Sequence, residues 1–153
     1  MRDAAHVRVQ RARSRRLGWI GLAVWASFGL LLETAHGFKW SSYLDDELLR
    51  TLLRLAHAHG VGLSLVLLAH AAVGAELFEQ DQARGARVGR ALRLGAVLIP
   101  LGFALSAPYH SESDPALPIV LVPVGAALLL YALASLAHAA RRAGDGREPT
   151  AED

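Results

Sequence analysis

Cysteine is absent from all 153 residues, which excludes disulfides, thiolate metal ligands, iron–sulfur clusters and covalently attached c-type haem. Also missing are a glycine-rich nucleotide loop, a Ser/His/Asp arrangement in recognisable context and the helix motif of zinc proteases, so a soluble-type hydrolase is not expected. No small-x-small cleavage pattern follows the first apolar run, which ends in Glu33, His36, Phe38 and Trp40. That run therefore reads as a membrane span rather than a signal peptide. No aromatic residues interleave with the arginines of the N-terminal segment, and nucleic acid is not an expected partner.

What the chain does have is apolar length. Hydrophobic residues make up 53% of the sequence and the net charge is only +2. The apolar residues come in long blocks rather than alternating with polar ones, as they would on the half-buried helices of a soluble domain. Four spans are expected, at about 17–35, 50–75, 88–107 and 117–139, giving a four-span membrane domain over 17–140. Residues 1–16 read as a basic tail and 141–153 as a flexible one. Ser41 or Ser42 is the expected cap of the second span's helix, with Asp45, Asp46 and Glu47 in its first turn, where carboxylates favour the positive end of the helix dipole. Asp46, Arg50, Arg54 and His57 then form a polar stripe, read as snorkelling arginines paired with acids. Pro100 falls mid-span and implies a kink that frees the carbonyl of Ala96.

Charge placement sets the orientation. Six arginines lie in the N-terminal segment, four in the central loop with Arg93 and three after the last span, together thirteen of the 16 basic residues. The opposite loops hold only Lys39, Arg50 and Arg54. The positive-inside rule then places both termini in the cytoplasm, a parity that four spans satisfy. The expected fold is all-α: an integral membrane four-helix bundle, up-down-up-down, with short connections. The lipid bilayer is the expected surround, and the basic N-terminal segment is suited to anionic lipid headgroups.

Histidines inside the spans are the sharpest chemical signal, because an imidazole facing lipid has no water to hydrogen-bond. His59 and His70 are eleven residues apart and share a helix face. His57, two residues from His59, points nearly the opposite way, so one metal cannot take both from a regular helix. Four uses stay open. A haem or other cofactor would draw on His57, His59, His70 and His138, with His70 and His138 closest in depth. A homo-oligomer would pair His59 with its copy at the notch of Gly60 and Gly62. A transition-metal site on the outer side would use His36, His59, His110 and the carboxylate of Glu33. The fourth use is hydrogen bonding between helices and to loop carbonyls.

The run Ala56-His57-Ala58-His59-Gly60, opening a glycine-containing apolar helix, resembles the His-x-His helix openings of bacterial membrane proteins related to haem–copper oxidase subunits and nitric-oxide-response proteins. That resemblance implies haem or copper ligation at His57 or His59 and a bacterial cytoplasmic membrane. The size and span layout resemble small bacterial membrane proteins such as hydroxylaminobenzene mutase, which implies rearrangement of a small aromatic hydroxylamine. Three functions are thus expected to compete. The first is a non-catalytic accessory or structural component of a membrane complex; the second is a haem- or metal-binding redox module. The third is a small transporter or proton pathway, for which prolines in two spans are the broken-helix signal.

Overall fold

A computed structural model describes residues 2–111 and 114–145. Five α-helices follow one another: α1 (Arg2–Gly37), a single turn α2 (Ser41–Leu44), α3 (Glu47–Ala69), α4 (Gln82–Ser106) and α5 (Leu121–Asp145). A π-helical turn, His70–Gly74, continues α3, and 3₁₀ turns occupy Glu76–Phe78, Ala107–Tyr109 and Leu117–Val120. No strand occurs among the described residues. Four stretches are long and apolar enough to cross a membrane: Val7–Gly37, Glu47–Gly74, Gln82–Tyr109 and Leu117–Gly144.

The basic segment expected as a tail is helical. It forms the opening turns of α1 without a break. Val7, Gln10 and Ser14 recur at helical spacing and are buried, while Arg8, Arg13, Arg15 and Arg16 face outward. A helix of this length extends about 54 Å at 1.5 Å per residue, well beyond a hydrocarbon core of about 30 Å. The expected tail after the last span lies mostly outside the described residues.

At its far end α1 closes with the paired bonds of a Schellman motif. The Lys39 N–H donates to His36 at 3.1 Å and the Trp40 N–H to Ala35 at 3.0 Å. Lys39 itself takes the left-handed conformation, φ 53°, a position usually held by glycine. The chain then makes α2, which tucks Tyr43 against Leu32 and Ala35 of α1. Ser41 opens this short turn rather than capping α3. The α3 cap is Asp46, in extended backbone, with its carboxylate accepting the Leu49 N–H at 2.8 Å.

Successive long helices run antiparallel. His59 meets Phe103 and His70 lies by Gly89, so α3 and α4 pair in opposite senses. α4 is the central helix, packed on α3, α5 and the basic end of α1. Its Leu92 and Val88 are fully buried, with Leu67 of α3 and Ala132 of α5 against them in one core. α5 packs on α4 and does not close against α1. The up-down alternation is therefore present, but the four spans form an open array around α4 rather than a ring. Pro100 is fully buried within α4, and the helix continues through it to Ser106.

Candidate functional site

Two of the span histidines, His57 and His70, face α1 from α3 and the turn that continues it. Glycines of α1 leave notches that side chains of α3 enter. A Cβ at Gly18 would meet Leu68, one at Gly21 would meet Ser64, and one at Gly29 would fall 2.2 Å from the His57 ring. The relation reverses once, where Trp25 of α1 lies over Gly60 of α3. Moving up α1 from Gly18 to Gly29 moves down α3 from Leu68 to His57, the register of two antiparallel helices.

His57 uses its notch. With no side chain at Gly29, the imidazole reaches the backbone and its Nδ1–H donates to the Trp25 carbonyl at 2.8 Å. A carbonyl only accepts, so Nδ1 carries the proton. His59 turns the other way, as the helical geometry requires. Its Nδ1–H donates to Leu55 one turn back at 2.8 Å, and its ring rests 5.2 Å from that of Phe103 on α4. The two imidazoles therefore serve different helix pairs.

His70 sits deeper, 4% exposed, in a polar junction of α1, α3 and α4. Its Nδ1 lies 3.0 Å from Ser14 Oγ, and Arg93 Nη1 donates to the same oxygen at 3.3 Å. Arg93 only donates, so the Ser14 oxygen accepts there, and the one hydroxyl joins the imidazole to the guanidinium. The Gln10 carboxamide completes the junction. A Cβ at Gly89 would stand 3.0 Å from Gln10 Oε1, 3.1 Å from Arg93 Nη1 and 3.6 Å from the His70 ring, so glycine at that position lets three side chains converge. The adjoining π-helical turn leaves carbonyls without helical partners. Arg11 takes two of them, Ala71 at 3.0 Å and Ala72 at 2.8 Å, and also bridges to Glu76 at 2.7 Å.

The opposite end holds a second polar pair. His110 Nε2 is 2.7 Å from Asp46 Oδ2. The Leu49 N–H, and then the hydrogen bond and charge of His110, hold the Asp46 carboxyl below its ordinary value of 3.8 against the opposing effect of burial. These partners replace the expected pairing with Arg50, whose guanidinium instead donates to the Leu44 carbonyl. Arg54 is exposed.

The remaining expected site residues lie apart. Glu33 and His36 are exposed at the end of α1, and no ion pair joins them among the described residues. His110 is engaged by Asp46 and His59 by Phe103, so the outer set of His36, His59, His110 and Glu33 is not assembled. No group of three or more metal-ligating side chains occurs among the described residues. His138 is exposed, whereas His70 is buried and faces Ser14. Sequence reasoning passed over Ser14, Gln10 and Arg93 as partners. The available signal was two uncharged polar residues four apart inside an arginine run, facing a span that ends in histidine. No protein-family model, no curated protein and no solved structure matches this chain.

Proposed function

We propose that this chain is a small polytopic membrane protein that acts as a non-catalytic accessory or structural component, inserted with both arginine-rich ends on the cytoplasmic side. The reading is carried by one observation: the three span histidines are directed to three different intramolecular partners. His57 bonds a carbonyl of α1, His59 packs on α4, and His70 is held by Ser14. An axial pair for haem, or a metal site, needs rings converging on one point. Here His57 bonds across to α1, His59 bonds within its own helix and rests its ring on α4, and His70 reaches Ser14, so each ring serves a separate helix contact. The charge asymmetry supports the orientation, and the exposed Arg13, Arg15 and Arg16 suit the anionic headgroups on that face. Exposed apolar side chains on the outer faces of α1 and α5, Leu30 at 70% and Leu130 at 66% among them, are positioned for lipid or for other subunits of a complex.

A second reading has one observation in its favour. At His59 the Nδ1–H is committed to a carbonyl, which leaves Nε2 as an unprotonated acceptor, the arrangement usual for a metal-ligating imidazole. Detergent-purified protein decides between the two. The accessory reading expects no Soret band and no stoichiometric metal, with His57→Ala lowering thermal stability or assembly. A Soret band or one metal per chain that disappears in His59→Ala establishes the redox reading instead.

A further inference from the structure

A groove of about 1010 Å³ opens where the basic ends of α1 and α5 diverge. Arg8 and Arg11 line it from α1, His138 and Arg142 from α5, and the turn from Val73 to Asp81 runs between them. Its volume is at the upper end of the range of about 300–1,000 Å³ typical of ligand sites. We infer that this groove docks the headgroup of a zwitterionic phospholipid carrying a primary ammonium. The inference rests on the reading of the chain as a membrane protein.

Depth comes first. The apolar stretches begin or end at Val7, Gly74, Gln82 and Gly144, so all four cross the groove's level as they leave the hydrocarbon. A bilayer places its phosphates and amines there. Among the described residues α1 and α5 form no packed seam, which leaves a space between their basic ends. Val73, 67% exposed beside it, gives the start of an acyl chain an apolar wall.

Charge then selects among lipids. Arg11 and Glu76 satisfy each other, and Arg11 is further tied to two carbonyls. Arg84 lies 5.9 Å over the Phe78 ring. Among the described residues neither Arg142 nor Glu79 takes part in an ion pair, and the Asp81 carboxylate accepts the Arg84 N–H at 3.0 Å. Beside the internal pair, the guanidiniums of Arg8, Arg84 and Arg142 share the groove lining with the carboxylates of Glu79 and Asp81. A purely anionic headgroup would be drawn to the arginines but would bring no ammonium to the two carboxylates. A zwitterion puts phosphate on the guanidiniums and ammonium on the carboxylates, and both contacts are charge-assisted hydrogen bonds. A choline headgroup has the phosphate but no N–H to donate.

The test places the full chain in phosphatidylcholine nanodiscs doped with phosphatidylethanolamine or phosphatidylglycerol, then counts lipids retained after mild detergent by native mass spectrometry. Phosphatidylethanolamine is expected to be held about tenfold over both others, a preference of about 1.4 kcal/mol. Glu79→Gln combined with Asp81→Asn, which keeps a capping side chain, is expected to erase the preference over phosphatidylcholine. Arg142→Gln is expected to weaken retention of every phospholipid. Equal retention of the ethanolamine and choline lipids, or preference for phosphatidylglycerol, overturns the inference, and so does a preference untouched by the acid substitutions. If the variants fail to incorporate, the comparison of lipids on the unaltered chain decides alone. A chain that remains in water without entering the discs refutes the membrane reading, whereas one that enters and holds no lipid refutes only the site.

Discussion

The α1–α3 and α4–α5 seams are both antiparallel and both notched by glycine, yet different atoms close them. Between α1 and α3 the notches admit side chains: the ring of His57 at Gly29, the indole of Trp25 at Gly60, the hydroxymethyl of Ser64 at Gly21. Between α4 and α5 backbone enters them as well as side chains. A Cβ on Gly95 would stand 2.8 Å from the Gly125 carbonyl oxygen, and one on Gly102 would stand 3.1 Å from the Val122 nitrogen. The first seam is keyed, so its register is written in particular polar and aromatic residues. The second is a close approach of two main chains, where contact area and small residues do the work.

The largest effects should fall on the second seam. Gly95→Ala meets a carbonyl that cannot rotate away, so α4 and α5 must separate. A loss of about 3 kcal/mol is expected, the upper part of the range for overpacked sites, read as a fall in unfolding free energy in detergent. Truncating the neighbouring side chain, Leu129→Ala, should not rescue it, because the Gly125 carbonyl remains. Gly60→Ala is the counterpart on the keyed seam. Its Cβ would lie 2.2 Å from the Trp25 indole, and a cost of about 2 kcal/mol is expected. Here rescue should succeed: with Trp25→Ala already in place, the added cost should drop below about 0.5 kcal/mol, as for a contact whose partner has been deleted. If Leu129→Ala rescues Gly95→Ala as completely, the distinction between the seams collapses.

Much of this was legible beforehand, and the part that was not has a physical pattern. Apolar block length announces four long helices because hydrocarbon thickness fixes how many apolar residues a span needs. The opposed directions of His57 and His59 follow from helix geometry alone. The glycines of the first span marked close packing, but spacing does not say which side chain enters which notch, since that depends on the register between helices distant in sequence. The arginine run read as a tail for a similar reason. Its charges dominate the composition, while the residues that anchor it, Val7, Gln10 and Ser14, are few and matter only once α3 and α4 lie beside them. Asp46 was placed in the first turn instead of at the cap because helix boundaries shift by a residue or two on local backbone geometry.

Ser14 extends the keyed seam to its basic end, and its removal measures how polar that key is. The side chain is fully buried and is the shared partner of His70 and Arg93. Ser14→Ala leaves both without it and should cost about 1–3 kcal/mol, the penalty for an unsatisfied buried group. Ser64→Ala is the control. Its hydroxyl bonds only Gly60 within its own helix, at 2.6 Å, and a bond of that local kind is worth about 0.5–1.5 kcal/mol net. A Ser14→Ala loss no larger than that of Ser64→Ala would show that the junction contributes packing alone.

The smallest effect belongs at the other end, where the contact linking α3 to the loop after α4 is a single hydrogen bond between His110 and a partly exposed carboxylate. The Asp46 carboxyl is held below 3.8 in the folded chain, so folding binds fewer protons there than the unfolded chain does. The stability it contributes is complete above the unfolded value and is lost as pH falls through the lower, folded one. Asp46→Asn retains a side chain that caps the Leu49 N–H but removes the charge facing His110. The difference in apparent Tm between the two proteins should therefore be present at neutral pH and shrink as pH falls below about 4. A Tm difference that persists unchanged at pH 3 would mean that the carboxylate's charge adds nothing to the cap. The contact between His110 and Asp46 would then be a consequence of how the loops fold, not a cause, and the two seams would carry the fold between them.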